Sequence, residues 1–198
     1  MGKQIIISIG RQYGSAGHEI GKKLAEKLDI PIYDRNLFDE LGKVKGIDTN
    51  NLVKYDEKPK SRLFSRTVRG YSSSPEENVA ELQFALLKSR WADGDSFVVV
   101  GRCADELFRG KEGFVSFFIT GDIDERVKRI MSVRNMDEKT AKIAIDRHDR
   151  KRKQYHDYFS KGGKWGDVKN YDVCVNSSRL GIDGTVEFLY QYIQQIIK

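Results

Sequence analysis

The sequence predicts an α/β protein: one domain, a five-stranded parallel sheet, and helices on both faces in three layers. Three observations predict it. Short β-branched or aromatic apolar runs recur at 4–9 (QIIISI), 31–33 (PIY), 97–100 (FVVV), 114–119 (FVSFFI) and 171–175 (YDVCV). Such runs suit strands buried on both faces. Segments with helical periodicity lie between them, and an alternation of this kind implies parallel pairing through right-handed crossovers. Finally, 198 residues suit a single domain.

The elements follow in order. The first strand stops at Gly10 and runs into GRQYGSAG. The helix over 18–28 carries Ile20, Leu24 and Leu28 on one face, and Asp29 and Pro31 end it. Leu37, Phe38 and Leu41 support a helix over 35–44. Residues 45–71 have little periodicity and many polar groups. SSSPEE at 72–77 opens a helix, with Ser74 as N-cap, Pro75 in the first helical position and Glu77 three residues beyond the cap. That helix runs to about Trp91 with Val79, Leu82, Leu86 and Leu87 inward. Helices are expected over 122–133, 137–158 and 181–197, and a loop over 160–170.

Composition excludes several classes. Apolar residues make up 39% of the chain, too many for a disordered polymer. No apolar run approaches the ~20 residues of a membrane-spanning helix. The opening MGKQIIISIG lacks the longer apolar core of a signal peptide, so it reads as a first strand and the protein as cytoplasmic. Cys103 and Cys174 are expected as packed, reduced thiols, and no Cys/His cluster has zinc-ligand spacing. The net charge of +6 fits either a solvated basic surface or a field for a polyanion. Lys and Arg concentrate at 147–153 (RHDRKRK), with a looser group at 58–69. A nucleic-acid partner has only this charge in its favour, because the usual recognition motifs are missing.

Ligands of parallel sheets bind at the carboxyl ends of the strands. Strand, GRQYGSAG, helix is the architecture of a phosphate-cradling loop: glycines let amides face a concavity, and the helix N-terminus adds partial positive charge. The alternative is a glycine-rich turn with no ligand. The match to G-x-x-x-x-G-K-[ST] is imperfect, because His18 stands in place of lysine and Glu19 in place of a hydroxyl residue. Arg11 or a protonated His18 could replace part of the lysine's charge; His18 is equally readable as a helix-surface residue. Arg102 ends a strand, where it could hold a phosphate or pair a carboxylate such as Asp34 or Asp105. Asp34 is open to a substrate contact or to helix capping.

An ordered set of segments resembles the cytidylate kinase-like family. Gly14-Ser15-Ala16-Gly17, KKLAEKL at 22–28 and Ile32-Tyr33-Asp34 are similar to the family's opening. Gly101-Arg102 resembles its acceptor-phosphate Gly-Arg. Glu125-Arg126 with Arg129 resembles the E-R-x-x-R leading into its lid, and RHDRKR at 147–152 resembles the lid's R-D-D-R-D-R. Tyr171-Asp172 and Asn176-Ser177-Ser178 resemble its closing strand.

The resemblance implies a P-loop kinase-type fold, with ATP and Mg²⁺ as cofactors and phosphoryl transfer to CMP, dCMP or a related phosphorylated small molecule. It implies catalytic roles for Arg147, Asp149 and Arg150. Gly10, Arg11, Gly14, Ser15, Ala16, Gly17, His18 and Arg126 would bind the cofactor, and Asp34 and Arg102 the substrate. Residues 34–92 would form the acceptor-binding insertion and 134–170 the lid. Departures favour an alternative, a nucleotide- or phosphate-binding protein with little transfer activity. Besides the missing lysine, Val100 stands where the family carries an acid, Arg35 and Asn36 replace Ser-Gly, and His148 and Lys151 replace two lid acids.

Overall fold

The computed structural model describes residues 3–34, 36–45, 55–57, 67–68, 71–72 and 74–196. Five strands form one parallel sheet: β1 (Ile6–Arg11), β2 (Ile32–Tyr33), β5 (Phe97–Val100), β6 (Phe114–Thr120) and β7 (Val173–Asn176). Their order is β2-β5-β1-β6-β7. β1 sits in the middle because its residues are apolar on both faces. Side chains alternate across a strand, so Ile7 and Ile9 join one core with Val98 and Val100. Ile6 joins the opposite core with Phe97 and Val99.

Helices cover both faces. α1 (Gly17–Leu28) and α7 (Ser177–Ile196) pack on the first core through Ile20, Leu24, Leu189 and Ile193. α2 (Leu37–Lys45) and α3 (Pro75–Ala92) pack on the second through Leu37, Phe38, Leu41, Val79 and Leu87. Ser74 caps α3 as expected, accepting from the Glu77 N–H at 3.5 Å. Asp29 closes α1 in the left-handed region, its N–H reaching the Ala25 and Glu26 carbonyls. α5 (Ile123–Arg134) and the 22-residue α6 (Glu138–Phe159) pack on each other around Val127, Ile130, Ala141 and Ile145.

Several expectations needed correction. A short hairpin, β3 (Thr67–Val68) with β4 (Tyr71–Ser72), lies in the aperiodic stretch. A four-residue helix, α4 (Ala104–Leu107), follows β5. The last strand starts at Val173 because Asp172 is diverted: its carboxylate accepts from the Ser116 N–H and hydroxyl at 2.7 and 2.8 Å. The last helix starts at Ser177 and is interrupted at Gly181 (φ 66°), so the expected 181–197 helix is its second part. Cys103 is buried, but Cys174 is exposed, because β7 is an edge strand with a neighbour on one side only. Most of the basic group at 58–69 lies outside the described residues, as does Arg35. Among the described residues no helix is long and apolar enough to cross a membrane.

Candidate functional site

The loop between β1 and α1 is pinned from several sides. The Gln12 N–H donates to the Ile119 carbonyl at 3.0 Å, and the Gln12 side chain accepts from the Gly121 N–H at 3.1 Å. The Ser15 hydroxyl donates to the Gln12 carbonyl, and the Ser177 hydroxyl to the Ser15 carbonyl. Gly14 (φ 87°) and Ala16 (φ 60°) are left-handed. Gly17 is required sterically, since a Cβ there would lie 2.5 Å from the Arg11 Cβ. Among the described residues, no acceptor meets the amides of Gly14, Ala16, Gly17 or His18. Unmatched amides at a helix N-terminus form an anion cradle.

One loop amide is taken. The Tyr13 N–H donates to the Asp149 carboxylate of α6 at 2.6 Å. The same carboxylate pairs with Arg126, a 6%-exposed side chain whose Nε donates to the Tyr13 carbonyl at 2.8 Å. The Tyr13 ring stacks on His148, with centroids 4.2 Å apart and planes 14° from parallel. Burial, with Arg152 and Arg147 nearby, pushes the His148 pKa down to about 4, so it is neutral at pH 7.

Beside the loop lies a nest of arginines. After β5 the chain makes three successive left-handed residues, Gly101, Arg102 and Cys103 (φ 79°, 60° and 53°). This turn sends Arg102 inward, where it is 2% exposed. Its guanidinium meets Asp56 and Glu57, each at 3.1 Å. Arg11 grips both oxygens of Glu57 at 3.0 and 3.4 Å. Arg152 approaches that carboxylate at 3.9 Å and donates to the Arg11 carbonyl at 3.2 Å. The Lys151 ammonium donates to the Asp56 carbonyl. Burial alone would raise the Glu57 pKa, but Arg11, Arg102 and Arg152 outweigh it and hold the carboxyl well below its usual range. Burial and the like charge of Arg11 lower Arg152 to about 9. Among the described residues, three guanidiniums thus face two carboxylates, and the buried Nε atoms of Arg11 and Arg102 have no hydrogen-bond partner. The nest has a surplus of donors and of positive charge.

The topology, the loop with open amides and the arginines at the ends of β1 and β5 together describe a kinase-like P-loop protein. The sequence matches the model of the cytidylate kinase-like family over residues 6–179. The chain belongs to that family. An uncharacterized protein from Eubacterium ventriosum has a similar structure, with 33% identity and a TM-score of 0.76, over 96% of this chain and 99% of that one. Shikimate kinase from Bacteroides thetaiotaomicron shares the fold at 14% identity and a TM-score of 0.54, over 96% of this chain and 98% of that one. Shikimate kinase from Aquifex aeolicus, also at 14% identity, has a TM-score of 0.50, over 96% of this chain and 97% of that one. No curated protein matches the sequence.

Within this family member, the residues singled out by sequence are distributed unevenly. Arg11, Arg102, Arg126, Asp149 and the segment from Gly14 to His18 converge on the ends of β1 and β5. Gly10 lies inside β1, where a Cβ would come within 2.6 Å of the Phe118 ring. His18 projects from α1 and pairs with the Asp34 carboxylate. That contact and the Asn36 N–H outweigh burial and hold the Asp34 pKa down to about 2. Glu19 pairs with Arg129 at 2.6 Å. Arg147 and Arg150 are exposed, and Arg150 pairs with Asp146 one turn back. Trp165 packs edge-on against Phe118.

Sequence reasoning missed Arg152, Asp56 and Glu57. A signal for Arg152 existed. Ala141, Ile145, Asp149, Arg152 and His156 are spaced by four, four, three and four residues, one continuous helical stripe. The apolar start of that stripe marks the inward face. Asp56 and Glu57 had no such signal, because their stretch has no period.

Proposed function

We propose that this chain is an ATP-dependent phosphotransferase acting on a phosphorylated small molecule, with CMP or dCMP the first acceptors to test. One observation carries this reading: three arginines converge on a single carboxylate where β1 and β5 end, beside a loop of open amides. Arginine's planar fork suits a carboxylate or a phosphate alike, so the nest that now holds Glu57 supports a phosphate-binding role.

The open amides of the loop and Arg126 fit the phosphates of ATP. Asp34 fits as the one protein carboxylate for a Mg²⁺ carried in by the nucleotide, because Mg²⁺ in such sites needs few protein ligands. Bound there, Mg²⁺ would supply charge neutralisation to the transferring group. Glu19 and Ile20 carry no hydroxyl, and the Glu19 carboxylate is already paired with Arg129, so the positions after His18 add no ligand. In this reading Arg11, Arg102 and Arg152 hold the acceptor phosphate, and α6 acts as the lid over 134–170. The 34–92 insertion, through Asp56 and Glu57, forms the acceptor side. Arg147 and Arg150 would act only after α6 turns or shifts.

A second reading has its own support. His18 replaces the loop lysine, and carboxylates already hold the Tyr13 amide and the arginine nest. These features favour a nucleotide-binding protein without transfer. A coupled assay with ATP against CMP, dCMP, UMP and AMP, run beside calorimetry of each nucleotide, separates the two. Turnover with any acceptor supports the kinase. Affinity without turnover selects the binding protein, and no affinity for any nucleotide overturns both.

A further inference from the structure

Behind the arginine nest, the β5–α4 turn and α6 bring together three side chains that the phosphoryl reading does not use. Cys103, Asp105 and His156 are 4%, 4% and 3% exposed, and one ligand atom from each lies within 4.8 Å of the others. We propose that they form a binding site for one thiophilic divalent cation, Zn²⁺ in the first instance, which rivets α6 to the turn carrying Arg102.

The chemistry of the donors argues for it. A thiolate, an imidazole and a carboxylate are the ligand types zinc takes. The imidazole is oriented from behind: its Nδ1 faces an Asp157 oxygen at 3.4 Å, and Asp157 is itself held by the Trp165 N–H at 2.8 Å. This is the outer support that metal-binding histidines use, and it leaves Nε2 facing Asp105 at 2.7 Å. Cys103 reaches the cluster through a left-handed backbone (φ 53°) that L-residues avoid. Once there, its thiol has a weak partner, the His156 carbonyl at 3.7 Å. A cavity of about 20 Å³, enough for one water, is lined by all three residues together with Arg11, Glu57, Arg102 and Arg152 of the nest.

The charges balance. An imidazolium, a carboxylate and a thiol sum to zero. Loss of the Sγ and Nε2 protons to buffer, with gain of a dication, leaves the sum at zero. The Arg102 charge is offset in part, since Asp56 and Glu57 each meet its guanidinium at 3.1 Å, Glu57 being shared with Arg11 and Arg152. Sequence spacing hides the set, because His156 lies far from Cys103 along the chain.

The test needs no nucleotide and is independent of the phosphotransfer reading. Metal-free full-length protein is titrated with Co²⁺ and Zn²⁺. We expect one equivalent to bind, with an intense four-coordinate Co²⁺ spectrum and a near-ultraviolet thiolate-to-metal band. Cys103→Ser should abolish the band, and His156→Gln should weaken binding at least tenfold. Because either variant could misfold, the wild type is also titrated in weak buffer, where at least one proton, that of the Cys103 thiol, should be released per metal. A weak six-coordinate spectrum without a thiolate band, or no proton release, overturns the proposal and leaves a buried ion pair beside an inert thiol.

Discussion

Replacing Glu57 with glutamine keeps its shape and removes the charge that the nest encloses. Arg102 would keep Asp56, while Arg11 and Arg152 would lose the carboxylate they share. Removing one partner of a buried ion pair costs about 3–5 kcal/mol. The Glu57 side chain is 14% exposed and that of Arg102 2%, so solvent offers little screening. Glutamine still accepts one hydrogen bond, which puts the expected loss near the low end, about 3 kcal/mol. In a chain of this length each kcal/mol moves the melting temperature by about 2–4 °C, so Tm should fall by about 6–12 °C. The nest would then lack an anion, and inorganic phosphate should fill it. At about a hundred times its Kd, phosphate should return about 2.7 kcal/mol. It should stabilise the wild type less, because there Glu57 competes for the same guanidiniums. Thermal melts of both proteins over a phosphate series read this directly. If Glu57→Gln melts within about 2 °C of the wild type, as an ordinary surface change would, the nest is not the charge-dense site described. Equal phosphate effects on the two proteins would refute the competition.

His148 titrates near 4 in the folded chain and near 6.5 when unfolded. The unfolded state therefore takes the proton first, so this contribution to stability is full above about pH 6.5 and declines as pH falls toward 4. Urea midpoints across that range should show the decline, and His148→Phe, which keeps a ring against Tyr13, should flatten it; a His148 resonance titrating near 6.5 would contradict the burial argument. Asp34 has the same sign at lower pH, with a folded pKa of about 2 against about 3.9 unfolded. Its contribution is present above about pH 4 and lost as pH falls toward 2. His18→Ala should move the Asp34 carboxyl titration, followed by NMR, up toward ordinary values, and an unmoved midpoint would show that the contact is not formed in solution.

The sheet was legible because its causes are local. QIIISI, FVVV and FVSFFI are apolar on both faces, and a strand of that kind is stable only between helix layers. The same holds for the Ser74 cap and for the loop at Gly14–Gly17, where the backbone conformation is written in adjacent residues. The polar network was not legible, because its causes are distant. Arg11 and Arg102 each bond a glutamate 45–46 residues away. Physics requires that buried guanidiniums find carboxylates, but it does not name them, and the chain offers 29 acids to choose from. Arg147 and Arg150 show the same limit at shorter range. Spacing groups residues onto faces, and only packing decides which face turns inward. Ala141 and Ile145 settle that for α6, and the stripe they begin carries Asp149 to the loop, Arg152 to the nest and His156 to the buried thiol. One helix face thereby touches all three polar centres, so a rotation or shift of α6 cannot alter one of them without disturbing the other two.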